Sequence, residues 1–381
     1  MAKNRETAAE NAGDGLLQEN KDYLTQQLIT YIGNKRSLLP FIGKALERVK
    51  VRLNKKKLSL FDLFSGSGIT ARFFKAHGEL LLVNDLEAYS ETINRCYLAN
   101  VSELDMGKLR QVHGEILSRL RAEPLREGFV AELYAPREDL TIGDRERVFY
   151  TSRNARYLDT ARQYIEELDG SLRPFFLAPL LAEASVHANT AGVFKGFYKD
   201  PRTGRGCFGG SGGTALNRIT GDIVLPFPVF SNFECPVRIY REDANRLIRE
   251  TTEVDVVYLD PPYNQHPYGS NYFMLNLILN YRRPSRISPV SGIPPEWNRS
   301  AYNRKRDAPR ALADLAEHIR AKFLIISFNS EGFISREEME GILRRTGTVE
   351  VLETPYNTFR GSRNLRNRDI YVKEYLYIVE R

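Results

Sequence analysis

An aspartate, two prolines and a tyrosine stand in a row at Asp260-Pro261-Pro262-Tyr263, directly after the apolar run VDVVYL. Two successive prolines stop any strand or helix they meet and stiffen the turn that follows. The Asp260 carboxylate and the Pro261 carbonyl can therefore be aimed at one spot, and both are hydrogen-bond acceptors. A guest suited to two acceptors is an –NH2 group, which offers two donors. Tyr263 adds a flat face on which a planar ring can stack. This is the chemistry needed to hold an exocyclic amine on a heteroaromatic ring, as in a nucleobase.

A second constellation lies far upstream in FDLFSGSG. Asp62 ends an apolar run, and Gly66 and Gly68 follow before a helix-like stretch. An acid at a strand end, then glycines, then a helix start is the pattern of a nucleotide-binding turn in doubly wound folds. The glycines let backbone N–H groups approach a ligand closely. The third glycine of the dinucleotide fingerprint is missing, which disfavours a nicotinamide dinucleotide. Ile69 follows with no GK[ST], which disfavours a P-loop. Asp85 closes the next apolar run, LLLVND. An acid there accepts hydrogen bonds from ribose hydroxyls in such folds, with Glu87 as the neighbouring competitor.

These groups need elements to carry them. Helical apolar spacing runs from Leu38 to Val49. LSLFDLF is a strand, ITARFFKAHG a helix with Gly78 as its stop, and LLLVND a strand. Strand, glycine turn, helix, strand is a βαβ unit and implies a parallel sheet. From about residue 101 to 181 the pattern is helical and well charged. Residues 188–215 are rich in Gly, basic and aromatic residues, which suits loop or hairpin. The α/β rhythm then returns with VRIY, REDANRLIRE, VDVVYLD, ALADLAEHIR, FLIISFN, REEMEGILRR, TVEVLE and DIYVKEYLYIVE. The sheet-forming parts lie at both ends, so the expected fold class is α/β with an inserted, mainly helical domain. The expected units are a polar tail at 1–27, a discontinuous α/β domain at 28–100 and 233–381, and the insert at 101–232. A smaller insertion at 281–310 has little regular pattern.

The 381 residues carry 55 Lys and Arg against 48 Asp and Glu, a net charge of +7. That permits a polyanionic partner. Two runs concentrate it: Arg299–Arg310 holds five basic residues against one acid, and Arg360–Arg368 holds four Arg and no acid. Ser, Asn and Tyr interleave with these arginines, as phosphate and sugar contacts require. Cys96, Cys207 and Cys235 show neither a disulfide framework nor a zinc spacing, so free thiols and no metal are expected. No apolar run is long enough for a membrane span, and the start of the chain has no apolar signal core.

Taken in order, these segments resemble the DNA adenine N6-methyltransferases of the Dam-like (D12) class. YIGNKRSLLPFI resembles that family's first motif, FDLFSGSG and VND its cofactor motifs, REDANRLI the segment 17 residues before the catalytic DPPY, and SNYFMLN the segment after it. The resemblance implies a Rossmann-like class I methyltransferase domain with a mostly parallel seven-stranded sheet. It also implies a central target-recognition domain and S-adenosyl-L-methionine as cofactor. Implied cofactor-binding residues are Tyr31, Gly33, Lys35, Asp62, Phe64, Gly66, Gly68, Asp85, Asp243 and Phe273. Asp260, Pro261, Pro262 and Tyr263 become the catalytic residues, acting on N6 of an adenine flipped from double-stranded DNA.

The DNA contacts expected in the middle domain are Lys195, Tyr198, Arg205 and Arg218, with Lys199 and Arg202 beside them. Arg360, Arg363, Arg366 and Arg368 are expected on phosphates near the C-terminus. The resemblance further implies a restriction–modification setting with a separately acting endonuclease, and a prokaryotic cytosolic location. The rival readings are a cytosine N4 methyltransferase and a catalytically inactive DNA-binding module. Cytosine N4 enzymes usually resemble SPPY rather than DPPY, and an intact DPPY with an intact glycine turn disfavours the inactive module.

Overall fold

The apolar runs form one sheet. In this computed structural model, which describes residues 18–210, 213, 215–357 and 371–381, its strands are β1 (Leu58–Asp62), β2 (Gly78–Asn84), β3 (Val237–Tyr240), β4 (Val254–Leu259), β5 (Ala321–Asn329), β6 (Thr348–Asn357) and β7 (Tyr371–Glu380). The order is β3-β2-β1-β4-β5-β7-β6. The first five strands of that order pair in parallel, and β7 lies antiparallel to both β5 and β6. The sheet is therefore the mostly parallel, seven-stranded one expected of a Rossmann-like methyltransferase. All six residues of β4 are buried, which explains its apolar sequence; the exception, Asp255, is paired with Lys55 and Lys322.

The strand order reverses between β1 and β4, and open α/β sheets bind ligands at the carboxyl edge of such a switch point. Register pairs Asp62 with Val83 of β2 and with Tyr258 of β4. Asp62, Asp85 and Asp260 thus leave the sheet along one edge.

Helices cover the two faces. Helix α1 (Leu39–Leu53) has Pro40 in its first turn and buries Leu39, Ile42, Ala45, Leu46 and Val49, the face its spacing predicts. Helix α2 (Ile69–Lys75) starts from Gly68, whose φ of 77° suits glycine. It ends on Ala76, so Gly78 is not its stop but the first residue of β2. Next come α3 (Ala88–Tyr97), α4 (Met106–Ala122), α5 (Phe129–Tyr134), α6 (Ser152–Glu166), α7 (Arg173–Val186) and α8 (Leu216–Thr220). The chain closes with α9 (Ala244–Leu247), α10 (Tyr268–Asn271), α11 (Phe273–Asn280), α12 (Ala308–His318) and α13 (Arg336–Leu343). REDANRLIRE therefore yields about one turn of helix, because the chain must bend at once into β4.

Helices α4 to α7 share one apolar core with α3 and α11, including Tyr97, Leu120, Leu158, Leu181 and Leu275. Burial of each such side chain is worth about 1.5–3 kcal/mol. This shared core fixes the helical part against the α/β part. Residues 188–210 contain no regular element beyond an isolated Lys199↔Gly206 bridge. Their anchor is Asn189, whose side-chain N–H donates to the Val148 and Cys207 carbonyls at 2.7 and 2.8 Å.

The described part of the expected polar tail is folded. Tyr23 is fully buried, and the Arg72 guanidinium donates to the carbonyls of Tyr23, Gln26 and Gln27 at 2.9–3.1 Å. Arg72 also stacks on the Tyr97 ring at 3.6 Å, which offsets the cost of burying a cation. This clamp delivers the following residues, up to Lys35, to the sheet edge.

Candidate active site

A cavity opens at the switch point, the place where open α/β sheets bind their ligands. Among the sequence-derived candidates, Tyr31, Gly33, Lys35, Phe64, Gly66, Asp85, Asp243, Asp260 and Pro262 line it. The turn after β1 is shaped by two left-handed glycines, Gly66 at φ 53° and Gly68 at φ 77°. The Gly66 N–H donates to Asp85 Oδ2 at 2.8 Å, and the Glu87 N–H to Asp85 Oδ1 at 2.9 Å. Asp85 thus knits the glycine turn to the end of β2 while still facing the cavity. Burial pushes its carboxyl up, and these backbone N–H bonds pull it partly back. Asp243 caps α9 by accepting from the Arg246 N–H at 3.1 Å.

Glu87 also lines the cavity. Its carboxylate accepts from Asn276 Nδ2 at 2.7 Å, and burial pushes its pKa up to about 7. The wall is acidic: Asp85, Glu87, Glu242, Asp243 and Asp260 face it, against Lys35.

A second cavity shares Tyr31, Gly33 and Lys35 with the first. Its other walls include Tyr263, Asn264, Asn329 and Glu374. Tyr263 packs edge-on against Phe328, with ring centroids 6.1 Å apart. The two cavities flank the DPPY turn, which carries Asp260 and Pro262 on one side and Tyr263 on the other.

Between them stands Lys35. Its ammonium is 3.1 Å from Asp260 Oδ1 and 2.9 Å from Glu374 Oε1. It is buried, not the solvent-facing lysine that its place at a helix start would allow. Burial alone would lower its pKa, but the two carboxylates hold it well above the usual lysine value. Burial raises the Asp260 carboxyl to about 6, with Lys35 pulling it down and Glu374 pushing it up.

Tyr31 is held by a stack of tyrosines. Its ring lies 4.9 Å from Tyr268 and 4.6 Å from Tyr272, with interplanar angles of 14° and 20°. The Tyr272 hydroxyl accepts from the Ile32 N–H at 2.7 Å. Tyr272, buried behind Tyr31, therefore orients the first motif.

Several candidates stand elsewhere. Phe273 does not line the first cavity. As the first residue of α11, it turns its ring into the aromatic core, against Tyr134, Phe149 and Phe194. Asp62 is fully buried and also absent from the cavity wall. Neither of its oxygens has a full hydrogen-bond partner among the described residues. Burial, with Asp260 and Asp85 nearby, pushes its carboxyl well up, and the Phe64 and Ala71 N–H groups only partly counter this. Gly68 is likewise off the wall, and a Cβ there would lie 2.9 Å from Asn94 Oδ1. Pro261 is buried.

The expected DNA contacts divide. Lys195 is exposed at the rim beyond DPPY, with its ammonium 3.4 Å from His266 Nδ1. Arg205 is exposed and paired with Asp144. Tyr198 is half-buried, and its backbone bonds to Asn189 and Cys207. Arg218 has a different role from the one expected. Its guanidinium donates to the Val186, Ala188 and Thr190 carbonyls, so it satisfies the chain leaving α7. Arg360, Arg363, Arg366 and Arg368 lie outside the described residues.

Sequence reasoning missed Glu374 and the strap at 298–303. Glu374 follows Lys373 near the start of a largely apolar strand, a weak signal. The strap comes from the unassigned insertion, and Asn298, Ser300, Tyr302 and Asn303 all line the first cavity. Asn298 Nδ2 donates to the Leu86 carbonyl at 3.1 Å, and Asn303 Nδ2 to the Asn264 carbonyl at 2.8 Å. The strap therefore bridges the segments that follow β2 and DPPY. Among the described residues, no group of three or more His, Cys, Asp or Glu could hold a metal, and no helix is long and apolar enough to cross a membrane.

Comparison with known proteins agrees with this geometry. The family model of D12 class N6 adenine-specific DNA methyltransferases matches residues 31–287. The chain is 31% identical over 363 residues to type II methyltransferase M.NlaIII of Neisseria lactamica, covering 93% of this chain and 99% of that one. It is 29% identical over 356 residues to M.CviAII of Paramecium bursaria Chlorella virus 1, covering 92% and 98%. M.FokI of Planomicrobium okeanokoites is 27% identical over 364 residues, and 52% of that longer protein is covered. A match that begins at Tyr31 and runs through the glycine turn and DPPY, with a relative aligned along nearly its whole length, places the chain in the D12 class of N6 adenine-specific DNA methyltransferases.

Proposed function

We propose that the first cavity holds S-adenosyl-L-methionine and the second a flipped adenine, so that Asp260 and Pro261 receive N6 where the two meet. The observation that carries this reading is the shared wall of Tyr31, Gly33 and Lys35, with Asp260 lining one cavity and Tyr263 the other. The donor set fits the cofactor. An acidic wall favours a sulfonium cation, and Asp85 and Asp243 are acceptors for hydroxyl and amino groups. When bound, S-adenosyl-L-methionine supplies the electrophilic methyl group.

The chain's own residues then do the rest. The N6 amine is a poor nucleophile because its lone pair is delocalised into the ring. Two acceptors on its N–H bonds favour a tetrahedral nitrogen whose lone pair points away from them. Asp260 stabilises the positive charge that develops on nitrogen. At neutral pH a carboxyl with a pKa of about 6 is mostly ionised and can still take the departing proton. Tyr263 offers the stacking face. Unstacking the base costs about a few kcal/mol. Contacts from Lys195 and the C-terminal arginines to flanking phosphates offset it.

Residues 101–232 are assigned the reading of the target sequence in double-stranded DNA. The type II relatives support a restriction–modification setting, with an endonuclease acting separately. The test is mass detection of N6-methyladenine in duplex DNA incubated with protein and cofactor, with Asp260→Ala as control. N4-methylcytosine, or no methylated base at all, overturns the reading.

A further inference from the structure

We propose that Glu374, on the last strand, is a positioning residue for methyl transfer that anchors Lys35 and, through it, the Asp260 carboxylate. The inference rests on the assignment of Asp260 as the group that receives N6. Glu374 is buried in β7, far along the chain from both partners, and accepts two hydrogen bonds on Oε1. One comes from the Lys35 ammonium at 2.9 Å and one from the Ser327 hydroxyl at 2.8 Å. Ser327, on the neighbouring strand β5 two residues before Asn329, the register partner of Glu374, is itself buried.

Without Glu374, Lys35 would be a buried cation on a flexible four-carbon stem with one partner. Such an ammonium can swing with Asp260 or lose its proton. With Glu374 fixed by Ser327, the lysine is pinned at its far side. Asp260 then keeps one oxygen on the lysine, and the other is left for the amine. Lys35 faces Asp260 and Glu374, with the phenols of Tyr258 and Tyr263 next to it, and Asp260 also faces Asp62 and Tyr268. The phenols are uncharged at neutral pH, but one ammonium is still set against the two carboxylates of Asp260 and Glu374. The excess negative charge keeps Asp260 a ready proton acceptor and suits a cationic methyl donor.

Four proteins test this: the parent, Glu374→Gln, Glu374→Asp and Asp260→Ala. Each is assayed for kcat across pH, for cofactor affinity, and for the Asp260 titration by carbon NMR of labelled aspartate. Glu374→Gln keeps the shape and removes the charge. Its kcat is expected to fall by roughly tenfold or more, the scale of one lost charge-assisted contact. Its cofactor affinity should hold, and its Asp260 titration should move to lower pH because a neighbouring negative charge is gone. Glu374→Asp should keep the parent titration and recover part of kcat.

Adding Glu374→Gln to a Lys35→Met protein should change kcat no further, since the two act in series. Should Glu374→Gln fail to fold, Ser327→Ala carries the same test, with a smaller loss of kcat at unchanged cofactor affinity. Parent kcat and titration in Glu374→Gln overturn the inference. Equal loss in the Gln and Asp variants with an unmoved titration does so too. If Asp260→Ala is as active as the parent, the assignment of Asp260 itself fails, a different result from either.

Discussion

Tyr31 lies directly over Gly66. A Cβ on that glycine would sit 2.9 Å from Tyr31 Cε1 and 3.1 Å from its hydroxyl oxygen. The first motif and the glycine turn are thus in contact at the cavity wall, and the backbone at Gly66 has a φ of 53°. Gly66→Ala must push the tyrosine aside and also strain the turn. Cofactor affinity is expected to fall by roughly tenfold or more, while the melting temperature changes little. Calorimetric titration with S-adenosyl-L-methionine measures the first and scanning calorimetry the second. Affinity equal to the parent's would show that the contact is dispensable.

The Asp260 carboxyl gives activity a defined acid limb. With a folded-state pKa of about 6, the carboxylate that accepts N6 forms as pH rises through that value, so kcat/KM for DNA should climb there and flatten above. The bound cofactor's positive charge moves the limb lower, never higher. The stability sign is opposite. The folded pKa lies above the ordinary carboxyl value of about 4, so the favourable contribution of Asp260 is present below that value and lost as pH rises through 6. Asp260→Asn should therefore melt no lower than the parent at alkaline pH. Its methyl transfer should fall by roughly a hundredfold or more.

Lys195 and Arg218 should separate cleanly. Lys195 is exposed beside the DPPY rim, whereas Arg218 is tied to three carbonyls. Lys195→Ala is expected to weaken DNA binding and flatten its salt dependence by about one phosphate contact. Arg218→Ala should instead lower unfolding free energy by about 1–3 kcal/mol, because buried carbonyls lose their donor. Fluorescence anisotropy at several salt concentrations and urea unfolding read the two effects. A steeper loss of DNA affinity in the Arg218 variant would return that residue to the interface.

Asn303 ties the strap to the segment after Tyr263. Asn303→Asp turns a donor into an acceptor facing the Asn264 carbonyl and repels it. The strap residues line the first cavity, so KM for the cofactor should rise by roughly threefold to tenfold with a smaller change in kcat. Limited proteolysis should cut within 281–310 sooner than in the parent. An unchanged cutting pattern together with an unchanged KM would show that the bridge does not hold the strap.

Local pattern made much of this protein legible. Apolar runs with glycine and proline stops determine β1, β2 and β4, because strand ends and tight turns depend on a few neighbouring residues. DPPY, the glycine turn and Asp85 were readable for the same reason. Lys35 was ambiguous, because nothing local says whether a lysine at a helix start faces water or a carboxylate. Phe273 and Arg218 stand away from their expected surroundings because helix α11 rotates one ring inward and the end of α7 leaves carbonyls in need of a donor. Both depend on packing between distant segments. Glu374 gave only a weak signal, since an acid beside a lysine in a strand has meaning only once β7 lies against β5. The sequence by itself thus determined the chemistry the site can perform. Tertiary structure decided which groups share it, because burial and charge pairing arise only when remote strands meet at one edge of the sheet.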